Sequence, residues 1–204
     1  MKEQEAIEIL RNKLKFTDNN LNDLGIFRNL LLEYNANYNL ISKSTEDSIW
    51  CRHILDSAQL IKYFDFNTSS VLADFGSGAG FPGIVLSIFN KNPKFHVKLY
   101  EKSPIKREFL NNIREKIKIN VEIIENIYEN EIDADIIVLR AFKKLGQIIK
   151  ISREIVRKPH KIIILKGKNA QAEINNVSLP PNYSYKLENS ITDTDSKIIL
   201  IDAG

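Results

Sequence analysis

Val71-Leu72-Ala73-Asp74-Phe75-Gly76-Ser77-Gly78-Ala79-Gly80-Phe81-Pro82-Gly83 is the stretch whose reading decides the fold. A β-rich pentad runs into four glycines within eight residues, and these lead straight into the apolar run Ile84-Val85-Leu86-Ser87-Ile88-Phe89. The pattern predicts a strand, a tight turn and a helix. Glycine at 76, 78 and 80 permits positive φ and lets the backbone approach a ligand with no Cβ in the way. A site built there lies at the carboxyl end of the first strand, where open α/β sheets bind ligands.

Outward from this unit, short β-rich runs alternate with helical stretches, the signature of repeated βαβ units and a parallel sheet. The expected strands are 71–75, 96–101, 121–125, 135–140, 161–166, 183–188 and 197–202. Between Lys102 and Val121, the residues Ile105, Phe109, Ile113 and Ile117 recur every fourth position and predict one buried stripe, with Arg107, Arg114 and Lys118 opposite. Ser103 and Pro104 supply an N-cap and a first-turn proline for that helix. No helix fits between the last two runs, so Asn189 to Asp195 is read as the turn of an antiparallel hairpin. Five parallel strands closed by such a hairpin are the arrangement of the class I S-adenosylmethionine-dependent methyltransferases. The expected fold class is therefore α/β and Rossmann-like, a mostly parallel seven-stranded sheet with a terminal antiparallel hairpin. From Lys2 to about Tyr63 apolar residues recur at helical spacing, as in Leu24, Phe27, Leu30, Leu31 and Tyr34. We read 1–68 as an N-terminal helical cap and 69–204 as the ligand-binding domain.

Two ligands compete for the turn. Gly78-Ala79-Gly80-Phe81-Pro82-Gly83 satisfies the dinucleotide pattern G-x-G-x-x-G, which would suit an NAD(P)-dependent oxidoreductase. Yet Gly76 already occupies the place nearest the strand, with Asp74 two residues ahead, and Asp-x-Gly-x-Gly-x-Gly is the form taken by S-adenosylmethionine sites. Asp74 can there orient the turn or reach the amino acid end of the cofactor through water. Pro82 has no N–H to offer a phosphate, and S-adenosylmethionine has no phosphate to bind. The second strand ends at Glu101, whose carboxylate can accept both hydroxyls of a ribose, whichever cofactor owns it. Gly76, Gly78 and Glu101 are thus candidate cofactor contacts.

A chain of 204 residues that is 43% hydrophobic can bury one good core. Its formal charge of +3 permits an anionic partner without demanding one. The sole cysteine, Cys51, excludes an internal disulfide and a Cys-x-x-Cys metal pair. No apolar run approaches the roughly 20 residues that span a bilayer, and Met1-Lys2-Glu3-Gln4-Glu5 is too acidic for a targeting peptide. The expectation is a cytoplasmic protein with no membrane and no metal.

The charge distribution is more telling than its total. Through Thr68 there are 8 basic and 10 acidic residues, which favours a packing cap over a nucleic-acid arm. From Arg140 to Lys168 there are ten Lys or Arg residues and one acid, Glu154, whereas 122–135 holds six acids and no base. Lys143 and Lys144 fall near the start of the next helix, where the dipole disfavours cations, and are read as facing phosphates. Arg140 follows Ile136-Ile137-Val138-Leu139 and emerges at the same sheet edge as the glycine turn, where its forked donors suit a cofactor carboxylate or an RNA phosphate. Of the three scattered histidines, His53 with Asp56 is read as a helix-packing hydrogen bond.

Together, Asn39-Leu40-Ile41, His53-Ile54-Leu55-Asp56-Ser57, Asp74 to Gly83, Lys106-Arg107 with Phe109-Leu110, Arg140-Ala141-Phe142 and Leu165-Lys166-Gly167 resemble the 16S ribosomal RNA (guanine-N7) methyltransferase G family, also called glucose-inhibited division protein B. The resemblance runs over most of the chain. It implies a chain that binds S-adenosylmethionine and methylates 16S ribosomal RNA, free or in the small-subunit particle, and we expect a monomer. It also implies a cofactor site made by Gly76 and Phe81, by two consecutive residues after the third strand that map to Ile127 and Tyr128, and by Arg140. Family members usually carry an arginine just before that pair, and here Asn126 stands in its place. Guanine N7 already holds an in-plane lone pair, so the expected mechanism needs no catalytic acid or base. The alternatives are the oxidoreductase and a non-catalytic RNA-binding relative.

Overall fold

In the computed structural model, which describes residues 1–128 and 131–204, the strands are β1 (Val71–Phe75), β2 (His96–Tyr100), β3 (Val121–Ile124), β4 (Ile136–Arg140), β5 (His160–Lys166), β6 (Tyr183–Asn189) and β7 (Lys197–Ala203). All seven expected strands are found, with no end displaced by more than one residue. They form one sheet in the order β3-β2-β1-β4-β5-β7-β6, parallel except for the two pairings made by β7. The order reverses between β1 and β4, and at such a switch point the loops leave the strands in opposite directions and open a crevice.

The helices are α1 (Glu3–Glu8), α2 (Asp18–Asn35), α3 (Asp56–Ala58), α4 (Gly83–Phe89), α5 (Pro104–Ile117), α6 (Leu145–Ile155) and α7 (Ala170–Asn175), joined by shorter helical turns at Ile9–Lys13, Lys43–Ser48, Trp50–Leu55 and Gln59–Tyr63. The central strands are apolar at successive positions because both faces of the sheet are covered. Val138, Ile163 and Leu165 pack into the layer formed by α4, α5 and the N-terminal segment. Ile137, Leu139, Ile162 and Ile164 pack into the layer of α6 and α7.

Two expectations need correcting. The helical pattern of the first 63 residues is broken at 14–17 and again at 36–42, where Asn35 uses its side-chain Oδ1 to accept from the Leu40 and Ile41 amides and folds the chain back, and it resumes as an unbroken helical run over 49–63. Ile105 is 43% exposed, unlike Phe109 and Ile113 of the same stripe; it lies in the first turn of α5, before the helix reaches the core. Ser103 caps that helix and Pro104 opens it, as expected.

The N-terminal segment shares its core with the sheet, since Leu10, Leu24, Phe27 and Leu31 pack in one cluster with Ile84, Val85 and Phe109. Asn20 anchors it. Its Oδ1 accepts from the Thr17 amide in a capping box, and its Nδ2 donates to the Ile88 carbonyl at the end of α4, 2.5 Å away. At the other end of the segment, Tyr63 donates to Glu188 at 2.6 Å and Gln59 donates to Ser190 at 3.0 Å, tying it to the hairpin of β6 and β7. Asn20→Ala removes the side-chain donor to the Ile88 carbonyl and the acceptor of the Thr17 amide, while the Thr17 hydroxyl still caps the first turn of α2. It should lower unfolding stability by about 1–3 kcal/mol in urea titration, with an unchanged m-value.

Candidate active site

The glycine turn is built around a dry carboxylate. Asp74, at 0% exposure, accepts the Gly83 amide at 2.9 Å through Oδ2, while its Oδ1 is buried with no partner. Desolvation pushes its pKa up to about 7, opposed by the Gly83 and Ser77 hydrogen bonds. Gly83 must be glycine here, because a Cβ would lie 2.6 Å from Asp74 Oδ2 and would collide with Leu99. The turn is also sewn to the neighbouring strand, with the Gly76 and Ser77 amides donating to the Tyr100 carbonyl at 2.9 and 3.0 Å. Gly76 has φ +72°, and a Cβ there would meet the Phe142 ring at 2.5 Å.

At this switch point lies a cavity of about 460 Å³. Gly76, Gly78, Phe81, Glu101, Ile127, Tyr128 and Arg140 all line it, so the structure brings the seven candidate cofactor contacts together, while Asp74 is buried and outside the lining. Glu101 sits between the turn and α5, its Oε2 accepting the Gly78 amide at 2.9 Å and its Oε1 the Ser103 amide at 2.8 Å. Phe81 is only 6% exposed and packs on Phe27 as well as on the cavity, serving core and site together. Ile127 is buried and Tyr128 half exposed, and Asn126 Oδ1 accepts the Tyr128 amide at 3.1 Å, which sets the backbone of the pair. The N-terminal segment contributes Leu40, Ile41 and His53 to the wall.

Sequence reasoning missed the support of Arg140. Its Nη2 donates to His53 Nδ1 at 2.6 Å, its Nε lies 3.8 Å from Asp56 Oδ2, and its guanidinium carbon sits 5.6 Å over the Phe81 ring. His53 also stacks on Phe81 at 5.1 Å, and its Nε2 bonds to Thr45 Oγ1 at 2.9 Å. Burial, and then the charges of Arg140 and Arg52, push the His53 pKa down to about 3, so the ring is neutral and accepts from the arginine. His53 and Asp56 therefore do not form the helix-packing pair expected of them; both face Arg140. Asp56 is itself held by Thr192 at 2.9 Å and Gln59 at 2.9 Å. Arg140 Nη1 is buried without a partner. Nothing in the local sequence marks His53, because its partner lies 87 residues away.

The basic stretch after Arg140 is answered in part inside the fold. Lys158 pairs with Asp133 at 2.6 Å and Asp135 at 2.7 Å, and Arg157 pairs with Glu131 at 2.8 Å, so the acidic and basic runs face each other. Lys144 does precede α6, but the N-terminus of that helix is capped by Glu173, whose Oε2 accepts the Leu145 amide at 2.8 Å. Lys143, exposed at the cavity rim, lies 5.4 Å over the Phe142 ring.

This chemistry discriminates between the two ligands. A dinucleotide places its pyrophosphate on the first amides of the helix after the turn. Here the Gly83 amide is occupied by a buried carboxylate and the Ile84 amide donates to the Gly80 carbonyl at 2.9 Å, so neither of the first two amides of the helix is free for a phosphate. Glu101 remains open to a ribose, since each of its oxygens has a further lone pair. Among the described residues there is no metal-competent cluster of His, Cys, Asp and Glu, and no helix long and apolar enough to cross a membrane.

Residues 20–198 match the family model described as rRNA small subunit methyltransferase G. The ribosomal RNA small subunit methyltransferase G of Pelagibacter ubique is 37% identical over 185 residues, 88% of this chain and 86% of that protein. The protein of the same name from Orientia tsutsugamushi, strain Ikeda, is 36% identical over 200 residues, 97% of this chain and 98% of its own. Among solved structures, a SAM dependent methyltransferase from Aquifex aeolicus superposes with a TM-score of 0.53 at 15% identity, over 72% of this chain and 88% of that one.

Asp74 and His53 have opposite effects on stability against pH. The Asp74 pKa is raised from 3.8 to about 7, so its contribution is fully present below about 4 and lost as pH rises through 7. The His53 pKa is lowered from 6.5 to about 3, so its contribution is present above 6.5 and lost as pH falls towards 3. The two shifts oppose each other over nearly the same window. Scanning calorimetry between pH 4 and 8 should therefore show Asp74→Asn losing stability on acidification more steeply than the wild type. His53→Gln should lose stability more steeply on going alkaline. Parallel curves for all three proteins would contradict this.

Proposed function

The chain belongs to the rRNA small subunit methyltransferase G family, and on that premise we propose that it transfers the methyl group of S-adenosylmethionine to N7 of a guanine in 16S ribosomal RNA. It acts in the cytoplasm, as a monomer, on the RNA or the small-subunit particle. Residues 1–68 serve as the cap and 69–204 as the catalytic body. The observation that carries the reading is the glycine turn itself, where Asp74 takes the first helical amide from any phosphate and Glu101 stands open to a ribose.

The residues present fit the cofactor. Gly76 and Gly78 offer bare backbone, and Phe81, Ile127 and Tyr128 offer apolar and aromatic walls. Glu101 is placed to accept ribose hydroxyls. The unpartnered Nη1 of Arg140 is suited to the cofactor's carboxylate, a charge-assisted bond. S-adenosylmethionine supplies an electrophilic methyl carbon on a sulfonium sulfur. No proton has to be removed from guanine N7, and His53 could not remove one, since both its nitrogens are already bonded to Arg140 and Thr45. What the chain contributes is alignment, holding the acceptor nitrogen in line and at near-attack distance.

The direct test is transfer of labelled methyl to 16S ribosomal RNA lacking the modification, followed by borohydride and aniline cleavage, which maps N7-methylguanine. One labelled guanine is expected. Label on another atom or base removes the N7 assignment, and cofactor binding without transfer leaves a non-catalytic RNA-binding protein. Glu101→Ala should weaken S-adenosylhomocysteine binding by about tenfold to a hundredfold in calorimetry, the loss of one or two hydrogen bonds to a charged group. Its circular dichroism should stay native.

A further inference from the structure

A second cavity, of about 280 Å³, adjoins the first and shares with it the lining residues His53, Arg140 and Ala141. It is polar, and its floor comes from Leu165, Gly167 and the turn between β6 and β7. Its cations outnumber its acids: Arg52, Arg140, Lys166 and Lys197 against Asp56 and Asp193. Lys166 is bound to Glu173 and to the Lys143 carbonyl, and Lys197 to Asn189 and the Thr194 carbonyl. Arg140 is bound to His53. Arg52 differs. It is exposed, makes neither hydrogen bond nor ion pair among the described residues, and stands near enough to His53, Asp56 and Arg140 to act on the charge of each. Two guanidinium groups of like charge at one cavity, with one partly buried carboxylate between them, form a site that an anion completes.

Two cavities that meet at one wall give a methyl donor and its acceptor adjoining rooms. We propose that the second cavity receives the acceptor guanosine, turned out of its strand, with the Arg52 guanidinium on its phosphate. The proposal rests on the reading of the chain as a ribosomal RNA methyltransferase and adds where the substrate sits. The cavity takes its lining from the 45–56 segment, the end of β5 and the β6–β7 turn, and at about 280 Å³ it has room for one nucleotide, so a base still stacked between its neighbours cannot enter it. An extruded nucleotide can, and enzymes that modify bases reach them in this way.

The test separates donor from acceptor. For Arg52→Gln, the KM for unmodified 16S ribosomal RNA should rise about tenfold, and the slope of log KM against log salt should fall by about 0.7, the value for one phosphate contact to a single strand. The S-adenosylhomocysteine Kd should stay within twofold of wild type. Arg153→Gln, on the surface of α6 away from both cavities, serves as the charge control and should change neither. RNA with 2-aminopurine at the mapped target should brighten when wild-type protein and S-adenosylhomocysteine are added, and less with Arg52→Gln. If the wild type transfers methyl but Arg52→Gln leaves KM and salt slope unchanged, or shifts the cofactor Kd by the same factor, the second cavity is not the acceptor site. A target 2-aminopurine that stays dark overturns extrusion. A wild type that transfers no methyl to any ribosomal RNA overturns the parent reading and this proposal together.

Discussion

The bond from the Gly83 amide to the Asp74 carboxylate is the constraint on which the rest of the site hangs. An ionised carboxylate without water is expensive unless it is hydrogen-bonded, and here one oxygen has a backbone amide while the other has none. The arrangement holds because three elements meet at that point. β1 delivers the acid, α4 begins at the amide it grips, and Leu99 of β2 closes the space so tightly that only a glycine fits. The turn between strand and helix is thereby fixed at both ends, and Tyr100 and Glu101 fix its middle from the neighbouring strand. A cofactor would meet a rigid backbone surface already in place.

The second constraint is Arg140. A guanidinium this deeply placed is disfavoured by burial, and Asp56 offsets that. A neutral imidazole on one side, a carboxylate on another and an aromatic face beneath hold it in a single orientation. That support comes wholly from the N-terminal segment and the glycine turn, so the segment is part of the site's construction as well as of its cover. The glycine turn and the segment also meet through Phe81, which touches Phe27, His53 and Arg140 at once.

Much of this was legible in the residues. The strands could be read because burial on both faces leaves apolar residues at successive positions, as in Ile162-Ile163-Ile164-Leu165, and because glycine and proline punctuate their ends. Gly76, Gly78, Glu101 and Arg140 could be placed because each sits at the carboxyl end of a strand, where the topology gathers them, whereas Phe81, Ile127 and Tyr128 were placed by the family resemblance. What could not be read was anything dependent on the partner of a side chain. His53 carries no local sign that an arginine late in the chain donates to it. The basic stretch 140–168, set against the acidic run 122–135, looked like a charge asymmetry aimed at a partner, yet Arg157 and Lys158 of the one pair with Glu131, Asp133 and Asp135 of the other, since a sequence shows the charges and not the distances between them. Ile105 kept the period of its helix and missed the core because periodicity tells the face of a residue and not how far along the axis the core extends.

The hairpin of β6 and β7 carries a consequence for how the protein is made. It lines none of the first cavity, but Ser190 and Thr192 at its turn hold Asp56, and Asp56 faces Arg140. The residues of the first cavity can be in place before β6 and β7 join the sheet. Until the hairpin docks, Asp56 lacks its two hydroxyl donors and β5 lacks its antiparallel neighbour. Arg140 is gripped in full only when it has docked, so the last strands finish a cavity that none of their own residues line.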